Sequence, residues 1–196
     1  MEKKLFLLFI FISFPSFCQN LILKDLAKPA NYELYISASK RVVNENNEVF
    51  NDFIYDNQSV IQNIITTWQG TKTNGYLKCG YNYEVYIVID NKVVETIAIN
   101  DECNQLVYSK GAVNIKDNPF SKLNSDLKFS TFTFKAKSKS EAMTFLDSLK
   151  NIKDVYCGNC NNYDFGISQE HDSDNDYYNL QIFGKVESIE KLNKLH

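Results

Sequence analysis

The chain has few of the residues on which most catalytic motifs depend. Its 196 residues include two histidines, seven glycines and one tryptophan. No serine stands in a G-x-S-x-G turn, no H-E-x-x-H pair occurs, and no glycine-rich phosphate loop is present. These absences argue against a serine hydrolase with that turn, a zinc metalloprotease and a P-loop nucleotide hydrolase, and they leave carboxylates as the main candidates for acid–base chemistry.

Basic residues are too few and too scattered for a nucleic-acid surface. Arg41 is the only arginine, and 24 acidic residues outnumber 21 basic ones, which gives a formal net charge of −3. No basic stripe with interleaved aromatic residues occurs along the chain. The sequence therefore predicts no nucleic-acid partner.

Long apolar runs are absent, apart from a short run near the N-terminus. Two lysines precede this run at residues 5–14, which is well short of the roughly 20 residues that a membrane-spanning helix needs. Ser16 and Cys18 then stand where a cleavage site requires small residues. We predict that residues 1–18 are a secretory signal peptide.

This prediction places the protein in the periplasm or outside the cell, with no transmembrane segment after cleavage. The alternative is cleavage before Cys18 and attachment of lipid to its sulfur, which would tether the protein to a membrane. Phe17 and Pro15 fit that lipoprotein signal less well than small and aliphatic residues would.

Export changes the interpretation of the cysteines, because oxidising compartments favour disulfides over free thiols. Four cysteines follow the signal peptide, namely Cys79, Cys103, Cys157 and Cys160. Four cysteines allow three connectivities. We predict the pair Cys79–Cys103 from the register of a central hairpin and, by elimination, the pair Cys157–Cys160.

That hairpin is the strongest β signal and covers residues 80–99. A three-residue loop at residues 90–92 would align Val85 with Ile97 and would place the first two cysteines opposite each other. A two-residue Asp-Asn turn is the better type I′ candidate, but it shifts the register by one residue. A β-bulge farther from the turn restores the alignment.

The motif Cys157–Cys160 has two other interpretations. A thioredoxin-like redox site places its first cysteine at a helix N-terminus, whereas the stretch YCGNCNNYDFG is rich in turn-forming residues. A four-cysteine zinc site typically has a second closely spaced pair, which Cys79 and Cys103 do not form. We therefore interpret both pairs as structural cross-links.

The remaining pattern divides the chain into two lobes. A lead-in at residues 19–30 precedes an N-terminal α+β lobe at residues 31–115, which contains the central hairpin. A polar loop at residues 116–126 leads to a C-terminal α+β lobe at residues 127–196. The last third follows the order β-α-β-β-α, close to a ferredoxin-like unit without its final strand. The predicted fold class is α+β, with a mixed or mainly antiparallel sheet and about three helices.

Helical periodicity is clearest just before residue 70. Asp56 or Asn57 can cap this helix, and its apolar face predicts that Trp68 is a core anchor. That face consists of Val60, Ile61, Ile64, Ile65 and Trp68. Ser138 and Glu141 form the capping box of a second helix.

An acidic stretch near the C-terminus is the candidate metal site. Asp172, Asp174 and Asp176 alternate as the first oxygen ligands of a calcium loop do. Tyr177 and Phe183 stand where an EF-hand-like loop would need glycine and glutamate. Weak calcium binding is therefore the only cofactor prediction, and a solvated acidic loop is the alternative.

Three strand tyrosines are candidate interaction residues. Tyr81 and Tyr83 share one face of their strand, and Tyr86 points to the other face. A solvated tyrosine-bearing face would suit a protein interface, in which tyrosine is enriched. Burial of that face under helices is the alternative.

These features predict an exported, non-catalytic interaction or inhibitor-like protein of the cell envelope or exterior, with another protein as its partner. The alternatives are a small extracytoplasmic enzyme that uses carboxylates and a weak calcium-binding module. A pocket lined by carboxylates with raised pKa values would favour the enzyme. A flat face bearing tyrosines would favour the interaction protein.

Overall fold

The computed structural model describes residues 20–41, 48–74, 80–160 and 178–193. The predicted signal peptide and Cys18 lie outside these ranges. Within them, the strands are β1 (Asn20–Leu21), β2 (Tyr32–Arg41), β3 (Glu48–Tyr55), β4 (Gln69–Lys72), β5 (Tyr83–Ile89), β6 (Lys92–Asn100), β7 (Gln105–Tyr108), β8 (Gly111–Ile115), β9 (Phe129–Ala136), β10 (Val155–Cys157) and β11 (Tyr178–Lys185). The α-helices are α1 (Gln58–Thr67), α2 (Lys139–Leu149) and α3 (Val186–Asn193).

The strands form two antiparallel sheets. The large sheet has the order β1-β4-β8-β7-β6-β5-β2-β3, and the small sheet has the order β10-β11-β9. The predicted α+β class, with mainly antiparallel strands and three helices in the described ranges, is confirmed. The C-terminal elements follow the order β-α-β-β-α, while their assignment as ferredoxin-like stays a prediction.

The central hairpin combines the two turn alternatives. Asp90 and Asn91 both have positive φ, +48° and +60°, as the type I′ turn requires. A β-bulge between Ile87 and Val88 then shifts the register, so that Val85 pairs with Ile97. The two-residue turn and the compensating bulge together produce the alignment that was expected from a three-residue loop.

Alternation along the strands creates four layers, in the order α1, large sheet, small sheet, and α2 with α3. Leu34 and Ile36 of β2 belong to the core beneath α1, whereas Tyr35 between them belongs to a cluster that faces the small sheet. Leu180 and Ile182 of β11 pack against the C-terminal helices, and Phe183 faces the large sheet. The small sheet thus contributes to two cores at once.

The helices have the predicted caps. Asn57 caps α1 by accepting a hydrogen bond from the Val60 backbone, and Ser138 caps α2 by accepting one from the Glu141 backbone. Trp68, just after α1, is 4% exposed, contacts the Phe120 ring edge-on at 5.2 Å, and donates its indole N–H to the Asp117 carbonyl. Its predicted role as a core anchor is confirmed.

The large sheet contains all described strands up to Ile115, and the small sheet contains those from Phe129 onward. A short 3-10 turn, Pro119–Lys122, lies between them. The two sheets nevertheless share a buried cluster of seven residues. The division into two lobes stays a prediction. The interface between the two sheets brings together two groups of polar and titratable side chains, one at each end.

Candidate functional site

Aromatic rings hold the two sheets together at the middle of their interface. We call this group the aromatic cluster, and it consists of Tyr35, Tyr86, Phe129, Tyr156 and Phe183. Phe183 of the small sheet stacks on Tyr86 of the large sheet at 4.1 Å between ring centroids and meets Tyr35 edge-on at 5.0 Å. Such contacts stabilise the interface beyond the apolar area that they bury.

One end of the interface opens into a cleft with a volume of about 270 Å³. Ser37, Asp52 and Glu84 come from the neighbouring strands β2, β3 and β5, and Ser37 pairs in register with both acids. Directly paired residues lie on the same face of a sheet, so the three side chains form one row. The wall on the small sheet is formed by Thr131, Phe132, Thr133, Gln181, Ile182 and Phe183.

The acids of the cleft differ in their surroundings. The Ser37 hydroxyl donates a hydrogen bond of 2.7 Å to Asp52. Burial raises the pKa of Glu84, and the charge of Asp52 raises it further, while a hydrogen bond from the Tyr86 hydroxyl opposes the rise. A cation that entered the cleft would favour the charged form of Glu84.

The other end of the interface carries acids that the protein neutralises itself. We call this group the clamp: Lys185 of β11 lies 3.6 Å from Glu33 of β2 and 3.4 Å from Asp154. The Tyr35 hydroxyl donates to the second Glu33 oxygen at 3.5 Å. Burial raises the pKa of Tyr35, and burial likewise raises the pKa of Tyr156 to about 12. Both phenols are therefore neutral at physiological pH.

The same strands build both ends. Along one face of β2, Glu33, Tyr35 and Ser37 follow each other, because alternate residues share a face. Along the facing side of β11 the order is Lys185, Phe183 and Gln181. The first pair forms an ion pair, the second packs ring against ring, and the third lines the cleft. Gln181 therefore occupies the place at the cleft that Lys185 occupies at the clamp.

The Cys157–Cys160 loop fixes the small sheet to the large one. The structure joins these two cysteines in a disulfide. Gly158 donates its backbone N–H to the Gln181 carbonyl at 2.8 Å, and a Cβ added at Gly158 would lie 2.5 Å from the Tyr86 ring. Only glycine permits this close contact with the Tyr86 ring. The sequence analysis did not predict the contact, although a glycine between two closely spaced cysteines could have indicated a close approach at this position.

Asn159 completes the attachment of this loop. Its side chain accepts from the Gln181 backbone at 2.9 Å and donates to the Asn179 carbonyl at 2.8 Å, as a strand partner would. Cys157 ends strand β10, whereas a thioredoxin-like site has its first cysteine at a helix N-terminus. The loop has the contacts of a structural brace.

The first predicted disulfide is described only in part. Cys103 lies in the turn after β6 and is disulfide-bonded. The Cys103 backbone N–H donates a hydrogen bond of 2.7 Å to the Asn100 side chain. Cys79, the predicted partner of Cys103, lies outside the described residues, so the pairing Cys79–Cys103 stays a prediction.

The three candidate tyrosines have different environments. Tyr81 is 51% exposed, Tyr83 is half-buried against the core beneath α1, and Tyr86 is 3% exposed within the aromatic cluster. The small sheet covers the face of β5 that carries Tyr86, so this residue is a packing residue and not a surface contact. The cover is a second sheet, whereas the sequence suggested helices.

A smaller cavity of about 160 Å³ adjoins the cleft. Ser37 and Glu84 line both cavities, and Tyr81, Asn82 and Tyr83 line the smaller one. Two of the predicted interaction tyrosines therefore border the surface that leads to the acids. Neither Ser37, Asp52 nor Glu84 was a candidate on sequence grounds.

The candidate calcium ligands Asp172, Asp174 and Asp176 lie outside the described residues, and calcium binding there stays a prediction. In the ranges that the structure describes, no group of three or more His, Cys, Asp or Glu side chains could hold a metal ion. No helix in those ranges is both long enough and apolar enough to cross a membrane.

The fold and cleft define a four-layer α+β protein with an acidic site between its sheets. Comparisons with models of protein families, with curated proteins and with solved structures find no match to this chain. The geometry of the cleft is therefore the basis for assigning a function.

Proposed function

We propose that this is an exported, non-catalytic interaction protein, and that its cleft receives a basic side chain of a partner protein. The smaller cavity bordered by Tyr81 and Tyr83 forms the rim of the same site. Asp52 and Glu84 contact the partner's cation, and the tyrosines contact the surface around it.

The observation that carries this proposal is an imbalance of charge at the cleft. Two carboxylates line it, and none of its described lining residues is a lysine or an arginine. At the clamp, by contrast, Lys185 lies within ion-pair distance of both acids. The Tyr86 hydroxyl donates a hydrogen bond to Glu84, but no described lysine or arginine lines the cleft beside this partly buried carboxylate. A partly buried charge with no opposite charge beside it is costly, so binding of an external cation at Glu84 would be favourable.

The size and lining of the cleft suit a single long side chain. Its volume of about 270 Å³ lies below the range of pockets for drug-sized ligands. An arginine guanidinium can bind a carboxylate through two parallel N–H groups and can also stack on an aromatic face. Asp52 and Glu84 offer the carboxylates, and the exposed ring of Tyr81 offers aromatic surface at the rim.

Affinity capture with matched variants tests this proposal. The wild-type chain, the double variant Asp52→Asn/Glu84→Gln and the control Asp117→Asn/Asp126→Asn are immobilised and exposed to the proteins of the source cells. Asp117 and Asp126 are exposed acids away from the cleft. We expect one partner that the wild type and the control retain and the cleft variant loses. Equal retention by all three, or none by the wild type, contradicts the proposal.

Export is a separate part of the proposal and has its own test. The signal-like N-terminus and the disulfide between Cys157 and Cys160 support it. Intact mass of the natural protein should show a chain that lacks residues 1–18, with its four remaining cysteines oxidised. A lipid on Cys18 would support the tethered alternative, and an unprocessed chain with reduced cysteines would contradict export.

A carboxylate enzyme is the second candidate, and one observation favours it. Burial raises the pKa of Glu84, which favours its protonated form, and Ser37 lies between Glu84 and Asp52 in the row of paired residues. Pairs of this kind divide the roles of general acid and general base in hydrolases, glycosidases included.

Turnover measurements distinguish the two candidates. Hydrolysis of a panel of chromogenic glycosides and esters by the wild type, abolished in both Asp52→Asn and Glu84→Gln, would establish the enzyme. Absence of wild-type turnover, together with capture of a partner that depends on the cleft, would exclude it for these substrates.

A further inference from the structure

A third cavity, with a volume of about 590 Å³, is lined in part by the two cysteines of the disulfide. The hairpin turn at residues 91–93 of the large sheet forms one wall. The end of α2, the following turn and β10 form the other. The cavity therefore depends on the packing of the two layers.

Part of the lining of this cavity is apolar. Met143, Leu146 and Ile152 are half-buried at the edge of the C-terminal core and also line the cavity. The disulfide Cys157–Cys160 lies beside them. A ligand that covered these side chains would gain roughly 25 cal/mol for each Å² of apolar surface removed from water. Methionine and sulfur are polarisable and adapt to chains of different shape.

The rim of the cavity is basic. Its described lining includes three lysines, Lys92, Lys150 and Lys153, and two aspartates, Asp147 and Asp154. Asp147 is ion-paired with Lys150 at 2.7 Å, and Asp154 lies 3.4 Å from Lys185. Both acids thus have a lysine of this chain near them, and the rim has a net positive charge.

The end of α2 accounts for only part of that charge. Cations are favoured near helix C-termini, which explains Lys150 at the C-cap of α2. Lys92 comes from the hairpin of the large sheet, where no helix ends, and it lines the same cavity as Lys153. Lysines from two layers therefore line the same cavity as the apolar side chains of Met143, Leu146 and Ile152.

We propose that this cavity binds a single-chain amphiphile with a carboxylate head group, of the fatty-acid class. The alkyl chain lies along Met143, Leu146 and Ile152, and the carboxylate lies at the rim between Lys92 and Lys153. This site is independent of the cleft and of the proposed protein partner.

Calorimetric titration with decanoate and with nonyltrimethylammonium tests the proposal, because both ligands carry a nine-carbon alkyl chain and they differ in head-group charge. The protein is kept oxidised, and both ligands stay below their micelle concentration. We expect saturable binding of one decanoate, and binding of the cation that is weaker by about tenfold or more, which is at least 1.4 kcal/mol.

Paired variants locate the site. Lys92→Glu/Lys153→Glu should weaken decanoate binding by about tenfold or more, whereas the control Lys122→Glu/Lys137→Glu, at exposed lysines away from the cavity, should leave it unchanged. Each variant is first checked for an unaltered thermal melt. No saturable binding of decanoate, equal binding of the cation, or full affinity in the first variant would each overturn the proposal.

Discussion

The two ends of the interface between the sheets carry similar acids but treat them differently. At the clamp, Lys185 of the small sheet reaches Glu33 and Asp154. At the cleft, the small sheet presents Gln181 and two threonines to Asp52 and Glu84. Lysine thus lies beside the acids of the clamp, whereas no lysine or arginine of the described ranges lines the cleft. This difference is the physical basis of the proposed binding site.

The aromatic cluster separates the two ends, and removing its central ring should have the largest effect. Phe183→Ala should lower the free energy of unfolding by about 3–5 kcal/mol, because truncation of a buried phenylalanine removes buried apolar surface and leaves a void in the core. Denaturant unfolding measures this loss. The control Thr131→Ala, at an exposed position on the same face of the small sheet, should stay within about 0.5 kcal/mol of the wild type. A loss below about 1 kcal/mol for Phe183→Ala would contradict the packing.

The disulfide loop is the next largest contribution, because Gly158 lies against the Tyr86 ring. Gly158→Ala should cost about 1–3 kcal/mol through overpacking. In a Tyr86→Ala background the added methyl group meets no ring, so its cost should fall by more than half. A double-mutant cycle from denaturant unfolding measures this coupling. Equal costs of Gly158→Ala in the two backgrounds would show that contact with the Tyr86 ring is not the reason that glycine is required at position 158.

The ion pairs of the clamp should contribute less to the free energy of unfolding than the aromatic cluster or the disulfide loop. Lys185→Met removes both ion pairs, but the Lys185 side chain is 40% exposed, so solvent screens them. We expect a loss of about 1 kcal/mol or less, which becomes smaller at high salt. Thermal melts at low and high salt check this. A loss that does not depend on salt would indicate that packing of the lysine stem, and not charge, holds the clamp.

The smallest effect should come from Glu84, through pH. Burial raises its pKa in the folded state, so the protonated carboxyl favours folding. That contribution is fully present below the unfolded pKa and is lost as the pH rises through the raised folded value. Glu84→Gln lacks this loss.

The stability of the variant relative to the wild type should therefore increase from roughly pH 4 to pH 7. Unfolding free energies across this interval, with Asp126→Asn as a control at an exposed acid, measure the change. A difference that stays constant across the interval would contradict the burial of Glu84.

Local patterns in the sequence predicted much of the fold. The Asp-Asn turn, the bulge and the register of Val85 with Ile97 follow from short-range turn chemistry, and the caps of α1 and α2 follow from single side chains. The cleft could not be predicted, because Ser37 meets Asp52 and Glu84 through strand pairings that link distant parts of the chain. The sequence left two alternatives open for Tyr86, a solvated interaction face and burial, because alternation identifies a face but not what covers it.

If Asp52 and Glu84 bind a cation of a partner protein, a lysine of the chain itself beside them, as in Gln181→Lys, should prevent that binding. The backbone of Gln181 bonds to the disulfide loop, and its side chain is exposed at the cleft, so a lysine there should copy the clamp without disturbing the brace. Wild type and variant are titrated with acetyl-arginine amide and followed by NMR at the amides of Ser37, Glu84 and Thr133. We expect saturable shifts in the wild type that are lost in Gln181→Lys. Equal shifts in both proteins, or none in the wild type, would contradict it.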